Sequence, residues 1–159
     1  MKIECIHPWD IKPPEARAIQ RELARRVVQE DRFSNVRTVC GVDIGFRNNI
    51  ARAACVVLSF PGLEPVECSI HSSPVKFPYV PGLLSFREIP ALLPALEKLK
   101  VDPDLLFVDG QGFAHPRRFG LASHIGLISN KPAVGCAKSR LLGTFKEPGL
   151  DKGSMEYLY

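Results

Sequence analysis

Two aspartates lie where the sequence could place a ligand site. Asp43 stands near the carboxyl end of a predicted strand, in GVDIG, and Asp109 lies at the end of a second one, in FVDG. Ligands of open α/β sheets bind beyond the carboxyl ends of the strands. Two neighbouring carboxylates tolerate one another when a hard divalent cation lies between them. Either aspartate alone is more typical of a turn before glycine, but the pair at equivalent strand ends favours a metal site.

Glu88 has two interpretations. The segment SFRE, residues 85–88, fits the S-x-x-E capping box, in which the glutamate reaches back to the Ser85 amide. Alternatively, Glu88 is a third carboxylate that points across the end of the sheet toward the metal. The spacing by itself favours the helix cap.

The aromatic ring of Tyr79 also has two interpretations. Pro78 and Pro81 hold the surrounding segment extended and stiff, so the ring could project as a rigid wedge of the kind that unstacks a duplex. The more ordinary interpretation, which the sequence alone favours, is a loop aromatic that packs on the helix below it.

Two histidines lie close to these motifs. His115 follows a glycine-rich loop and is predicted to contact a phosphate or to move protons, whereas His124 falls in an apolar helical pattern and is predicted to be a hydrogen-bonded helix residue. The segment GQG that begins at Gly110 lacks the third glycine of a dinucleotide loop, and the sequence contains no G-x-x-x-x-G-K-[ST] and no G-x-S-x-G. Nucleotide cofactors and a serine nucleophile are therefore disfavoured.

The net charge of +4 conceals an uneven distribution of charge. Residues 110–146 contain no Asp or Glu. Their basic residues are Arg117, Arg118, Lys131, Lys138, Arg140 and Lys146. Charge separated in this way produces a local positive field that attracts a polyanion. The alternative is a solvated surface whose acidic partners lie elsewhere in the fold.

The composition indicates one domain. A chain of 159 residues with 45% hydrophobic residues can bury one core, so we predict a single domain over residues 1–159. Pro, Gly and His interrupt the uncharged stretches before a membrane-spanning length, and the first ten residues contain no apolar signal segment. We therefore expect a cytoplasmic monomer that does not contact membranes.

No cysteines form a C-x-x-C pair, and Cys40, Cys55 and Cys136 are predicted to be small buried hydrophobes.

The elements that must position these residues follow from the periodicity of the apolar residues. The predicted helices cover residues 13–32, a segment that ends near residue 100, and residues 118–129. The predicted strands cover residues 38–44, 52–60 and 65–75 and the segments LLFVDG and AVGCAKS. The second strand is apolar enough to be covered on both faces, and Pro94 should bend the second helix. This order predicts an α/β fold, a mixed sheet flanked by helices, with the first and fourth strands parallel.

Together the motifs resemble the endonuclease V family, the deoxyinosine-directed endonucleases. The matching segments are GVDIGF, FPYVPGLLSFRE, FVDGQGFAHPRRFGLASHIG and VGCAKSRL, in the family's order and approximate spacing. V-D-I-G alone also occurs in actin-like sugar kinases, whereas PYVPG with FRE and VDG-x-G-x-x-HPR is highly specific. The resemblance implies an RNase H-like fold, which agrees with the predicted order of strands and helices.

The resemblance also implies roles for individual residues. Asp43, Glu88 and Asp109 would hold Mg²⁺, with Mn²⁺ as an alternative ion, and Tyr79 would fill the gap left by a flipped base. Lys138 matches a lysine near the scissile phosphate and His115 a histidine beside the site, so both are included among the catalytic residues. The positions that would line a pocket for hypoxanthine, largely through main-chain groups, are Gly82, Leu84, Gly110, Leu121 and Gly135.

The implied activity is Mg²⁺-dependent hydrolysis of a phosphodiester bond on the 3′ side of deoxyinosine or inosine, as a step in DNA repair. It would leave a 3′ hydroxyl and a 5′ phosphate, and the expected partner is inosine-containing DNA or the corresponding RNA. Members of the family continue past Tyr159 with further strands and a helix, so the chain is predicted to be a C-terminally truncated member that lacks them. The alternatives are a module that binds inosine without cutting and, on GVDIG alone, an actin-like phosphotransferase.

Overall fold

The computed structural model describes residues 1–33 and 35–159. The helices of this part of the chain are α1 (Pro13–Leu23), α2 (Leu84–Glu97) and α3 (Leu121–Ser129). The strands are β1 (Thr38–Arg47), β2 (Ile50–Ser59), β3 (Pro65–Pro74), β4 (Leu105–Val108) and β5 (Ala133–Gly135). A 3₁₀ turn, Ala24–Arg26, follows α1. The predicted α/β architecture, a mixed sheet flanked by helices, is confirmed.

The described strands form one five-stranded sheet in the order β3-β2-β1-β4-β5. β1, β2 and β3 form an antiparallel meander, whereas β4 runs parallel to β1 and β5 runs parallel to β4. The parallel pairing of the first and fourth strands, which the intervening helix predicted, is confirmed. β1 is therefore the point where the direction of the sheet changes.

The main core lies between one face of the sheet and the helices α2 and α3. Its fully buried side chains include Cys40, Val57, Leu92, Leu106 and Ile125. A second cluster joins α1 to the beginning of α2 through Ala16, Phe77, Leu83 and Phe86. This second cluster fixes α1 beside the segment that precedes α2.

The prediction that β2 is covered on both faces is wrong. Along β2, buried residues alternate with exposed or half-buried ones, and Val56 on the outer face is 37% exposed. The alternation is typical of an antiparallel strand that packs a core on one side only. The apolar residues of the outer face misled the prediction because a continuous apolar run does not reveal which face is buried.

The helices also differ in their limits from the prediction. α1 ends at Leu23 instead of residue 32, and Val28 beyond it is 54% exposed because no apolar surface receives it. α3 begins at Leu121 instead of residue 118, since Arg118 has a φ of 54° and Gly120 is extended. Cys136 is exposed, so only Cys40 and Cys55 of the three predicted hydrophobes are buried. No helix in residues 1–33 or 35–159 is both long enough and apolar enough to span a bilayer.

Candidate active site

The parallel pairing of β1 and β4 brings two predicted carboxylates to the same edge of the sheet. The paired rows end at Val42 and Val108, and each valine is followed by one of the aspartates. The Asp109 amide donates a hydrogen bond to the Val42 carbonyl at 3.3 Å. Asp43 and Asp109 therefore lie at the same level of adjacent strands, just past the last paired residues of β1 and β4. The predicted end of the first strand near Asp43 is wrong, because β1 continues to Arg47 to pair with β2.

Glu88 reaches this edge from α2. Its side chain is buried, with only 7% of the residue exposed. Burial, and after it the negative charges of Asp43 and Asp109, raise the pKa of the Glu88 carboxyl group to about 8, against smaller opposing contributions from Arg87 and Lys138. The carboxylates of Asp43 and Asp109 thus lie close enough to Glu88 to oppose its ionisation.

The capping box predicted for Ser85 and Glu88 does not form. The N-cap of α2 is Leu83, and no side chain caps the helix, so Ser85 lies inside the first turn. The Ser85 hydroxyl is hydrogen-bonded to His124 at 3.1 Å instead. Because the helix begins before the serine, Glu88 stands one turn further along the helix, where it faces the two aspartates.

Lys138 supplies the positive charge at this edge. Its ammonium group donates a hydrogen bond to Asp109 Oδ2 at 2.5 Å, although its side chain is 83% exposed. The hydrogen bond and the charge of Asp109 raise the pKa of Lys138, with smaller contributions from Asp43 and Glu88. A lysine thus balances part of the charge of the three carboxylates.

The donor chemistry of this edge fits a hard divalent cation. Carboxylate oxygens are the ligands that Mg²⁺ and Mn²⁺ prefer, and the Glu88 carboxyl group is buried beside two like charges without a hydrogen bond that would stabilise its ionised form. However, within residues 1–33 and 35–159 no group of three His, Cys, Asp or Glu side chains is arranged to hold an ion as it stands. Asp43, Glu88 and Asp109 would have to draw together on binding.

A cavity of about 170 Å³ is lined by Ser85, which lies one helical turn before Glu88, and by Gln111, which follows Asp109 in the loop after β4. An apolar cavity of similar size, about 150 Å³, accommodates a benzene ring, so the volume suits a planar base. Tyr79 stands at the cavity with 73% of its surface exposed. The lining residues are Gln20, Tyr79, Val80, Pro81, Gly82, Leu84, Ser85, Gln111, His115, Gly120, Leu121 and Leu141.

Four of the six residues predicted to contact the base line this cavity, namely Tyr79, Gly82, Leu84 and Leu121. Gly110 and Gly135 do not. A Cβ atom on Gly110 would lie 3.2 Å from Leu121 Cδ2, and one on Gly135 would collide with the Gly110 carbonyl oxygen. These two glycines therefore allow the loop after β4 to pack between β5 and α3, which places Leu121 in the wall.

The Gly82 carbonyl oxygen is the point at which three elements meet. It accepts hydrogen bonds from Gln20 Nε2 at 3.1 Å, from His115 Nε2 at 3.1 Å and from Arg117 Nη2 at 2.7 Å. Gly82 has a φ of 76°, a conformation that glycine adopts without steric penalty. The segment that carries Tyr79 is therefore anchored at its glycine rather than at the exposed ring.

His115 supports this wall through both of its ring nitrogens. The Arg117 amide donates to Nδ1 at 3.1 Å, so Nδ1 is unprotonated and Nε2 carries the proton that it donates to Gly82. Burial lowers the pKa of His115, and the charge of Arg117 lowers it further. The predicted contact of His115 with a phosphate or a moving proton would require these hydrogen bonds to break.

Gln20 and Ser85 are polar residues of the cavity wall to which the sequence motifs assign no role at the site. Gln20 lies on the buried face of α1 between Ala16 and Leu23, and its amide also donates to the Phe119 carbonyl at 3.0 Å. In the sequence, a single glutamine among the apolar residues of this helix face is the feature that indicates a buried polar contact. The sequence pattern around Ser85 predicts only a helix cap.

A buried chain of hydrogen bonds continues from Ser85 to the N-terminal segment. The His124 Nδ1 atom accepts from the Ser85 hydroxyl, and its Nε2 atom lies 2.8 Å from His7 Nε2. His7 Nδ1 lies 2.8 Å from the Pro8 carbonyl, so Nδ1 donates there and His7 Nε2 accepts from His124. The prediction that His124 is a hydrogen-bonded helix residue is confirmed, and His124 is completely buried.

Comparison with known sequences gives one consistent result. A family model described as Endonuclease V matches residues 21–159. The chain is 51% identical over 160 residues to the endonuclease V of Rippkaea orientalis, which covers 99% of this chain and 70% of the relative. It is 51% identical over 161 residues to the endonuclease V of Trichormus variabilis, covering 99% of this chain and 73% of the relative.

Comparison with solved structures agrees. The endonuclease V of Streptomyces avermitilis superposes with a TM-score of 0.90 at 40% identity, over 100% of this chain and 72% of that one. The endonuclease V of Ciona intestinalis, solved with a 23mer DNA containing an inosine followed by a ribo-adenosine, gives a TM-score of 0.76 at 32% identity, over 84% of this chain and 61% of that one. The chain has the endonuclease V fold, which is RNase H-like, and belongs to the endonuclease V family.

Proposed function

We propose that this chain binds inosine-containing DNA and hydrolyses the phosphodiester bond on the 3′ side of the inosine with the help of Mg²⁺. The observation that carries the proposal is the position of Glu88, buried between α2 and the sheet with its charge coupled to Asp43 and Asp109. The base-sized cavity begins one helical turn away, because Ser85, which lines it, precedes Glu88 by one turn of α2.

In this proposal the protein supplies geometry and charge. A Mg²⁺ or Mn²⁺ ion held by Asp43, Glu88 and Asp109 would polarise the phosphate and lower the pKa of a bound water. Lys138 would leave Asp109 and place its ammonium group against the phosphate oxygens, where negative charge increases during the reaction. The oxygen of water bonds to phosphorus and the bond from phosphorus to the 3′ oxygen breaks, which leaves a 3′ hydroxyl and a 5′ phosphate.

Recognition of the base would use the cavity and Tyr79. Inosine pairs weakly, so rotating it out of the helix costs less than rotating a matched base. The exposed Tyr79 ring would occupy the space left in the stack, and the cavity wall formed by Gly82, Leu84 and Leu121 would enclose the base. The Streptomyces and Ciona proteins support this proposal by fold, and the Ciona protein was solved with DNA that contains inosine.

A second candidate function is binding without cleavage. It is favoured by the carboxylates as they stand, because no three of the described acidic side chains form a ready-made ligand set and Asp109 is engaged by Lys138. Such a protein would bind inosine-containing DNA but leave it intact with any divalent cation.

The test uses end-labelled duplexes with one inosine or with adenine at the same position, incubated with Mg²⁺ or Mn²⁺ and separated on a denaturing gel. We expect a single nick in the inosine strand alone, and an RNA strand of the same sequence tests the ribose preference. Asp109→Asn should remove the nick and keep most of the binding, whereas Tyr79→Ala should weaken binding to inosine. Binding to inosine without a nick would support the second candidate, and equal binding to both duplexes would refute both.

A further inference from the structure

Two arginines of α1 flank Gln20, a residue of the cavity wall, and a third arginine is hydrogen-bonded to that glutamine. Arg17 and Arg21 lie one turn apart on α1, which places their side chains about 6 Å apart along the helix. Arg117 comes from the loop before α3, and the charges of Arg17 and Arg21 contribute to lowering its pKa, after burial. The α1 arginine cluster consists of Arg17, Arg21 and Arg117.

Arg117 is held firmly but keeps its full charge. Its Nε atom donates to Gln20 Oε1 at 2.5 Å and its Nη2 atom donates to the Gly82 carbonyl. Both acceptors are neutral, so they fix the guanidinium group without cancelling its charge. Because Gln20 and Gly82 line the base cavity, this fixed positive charge stands at the cavity wall.

Arg17 and Arg21 likewise form no ion pair with an acidic residue in the part of the chain that the structure describes. None of the ion pairs found in residues 1–33 and 35–159 includes a member of the α1 arginine cluster. The acidic residue in the first turn of α1, Glu15, accepts a hydrogen bond from the Lys12 amide instead. Like charges kept this close repel one another, and the repulsion is relieved when a polyanion binds across them.

We propose that the α1 arginine cluster binds the phosphodiester backbone of the strand whose base enters the cavity. Each guanidinium group matches a phosphate in charge and in planar hydrogen-bonding geometry. A backbone is the polyanion that the position favours, because a base in the cavity is joined to phosphates that must leave past its wall. Contacts of this kind position a nucleic acid and do not read its sequence. The inference rests on the proposed function, since it places the nucleotide in the same cavity.

The α1 arginine cluster extends the predicted polyanion-binding surface to helix α1, which lies outside the basic segment 110–146. Two basic residues of that segment, Lys131 and Lys138, are paired with aspartates. Arg17 also lies before residue 21, where the match to the family model begins.

The experiment measures binding by fluorescence anisotropy in EDTA, so that no cleavage occurs, with inosine and adenine duplexes from about 50 to 200 mM salt. The double variant Arg17→Ala/Arg21→Ala removes two charges and retains good helix formers. The slope of log Kobs against log salt should become less negative by about 2 units, because each phosphate contact contributes about −0.9 to it. Both duplexes should lose affinity by the same factor, and Arg17→Lys/Arg21→Lys should restore the slope.

Arg37→Ala is the matched control. Arg37 is an exposed arginine that immediately precedes β1 and lies outside the α1 arginine cluster, and its removal should leave the slope unchanged. An unaltered slope in the alanine double variant with the inosine duplex would overturn the inference while leaving the proposed function intact. Equal binding of the two duplexes by the wild-type chain would refute the proposed function, and the slope would still test the cluster. Absence of binding to either duplex would overturn both.

Discussion

The buried carboxyl group of Glu88 predicts how the stability of the metal-free protein depends on pH. Burial and the charges of Asp43 and Asp109 raise its pKa from 4.5 to about 8. The unfolded chain releases this proton near pH 4.5, whereas the folded chain retains it until the pH approaches 8. The resulting contribution to the free energy of unfolding is therefore fully present below pH 4.5 and is lost as the pH rises to about 8.

The magnitude follows from the size of the shift. One pKa unit corresponds to about 1.4 kcal/mol of differential interaction, so Glu88 should contribute about 3 kcal/mol less to the free energy of unfolding at about pH 8 than at about pH 5.5. Little of this effect is screened by solvent, because the residue is only 7% exposed. Glu88→Gln has nearly the same shape and no titratable proton, so the variant should not show this loss.

The assay is urea unfolding followed by circular dichroism at the two pH values in EDTA. The quantity of interest is the difference in free energy of unfolding between the wild type and Glu88→Gln, because the titration of other groups is common to both. Glu97→Gln, an exposed glutamate at the other end of α2, serves as the control and should change nothing. Added Mn²⁺ should reduce the wild-type loss, since a bound cation favours the ionised carboxylate. The same pH dependence in Glu88→Gln as in the wild type would refute the reasoning.

Two further predictions concern residues around the cavity. Gly82→Ala should lower the free energy of unfolding by about 1–2 kcal/mol, because Gly82 has a φ of 76° and a Cβ atom would lie 2.7 Å from Arg117 Nη2. This corresponds to a melting temperature lower by a few degrees, which calorimetry measures, and an unchanged value would contradict the strain. Burial, together with the charge of His7, lowers the pKa of His124 below 6.5, so its contribution to stability is present above pH 6.5 and is lost as the pH falls. His124→Gln lacks this titration, so its free energy of unfolding relative to that of the wild type should increase by up to about 1.4 kcal/mol when the pH falls from 7.5 to 5.5. Urea unfolding measures this difference, and a difference that does not change with pH would count against a neutral buried His124.

Much of the fold could be predicted from local patterns. The order of strands and helices and the parallel pairing of β1 with β4 followed from periodicity and from the helix that connects the two strands. The limits of α1 and the coverage of β2 could not be predicted in this way, because they depend on which apolar surface is available to receive a side chain. Val28 continues the apolar spacing of the helix but lies beyond its end with 54% of its surface exposed, and Val56 belongs to an apolar run of which only one face is packed.

The sequence by itself determined the family, through motifs such as PYVPG and VDG-x-G-x-x-HPR, and it singled out Asp43 and Asp109 as carboxylates at strand ends. Tertiary structure alone decided that Glu88 is buried beside them, that Ser85 bonds His124 rather than capping α2, and that Gln20 joins Arg117 at the cavity. Hydrogen bonds such as that between Gln20 and Arg117 join residues 97 positions apart. A motif records neighbours along the chain, whereas the charge, burial and partners of a side chain are set by the surfaces that pack around it.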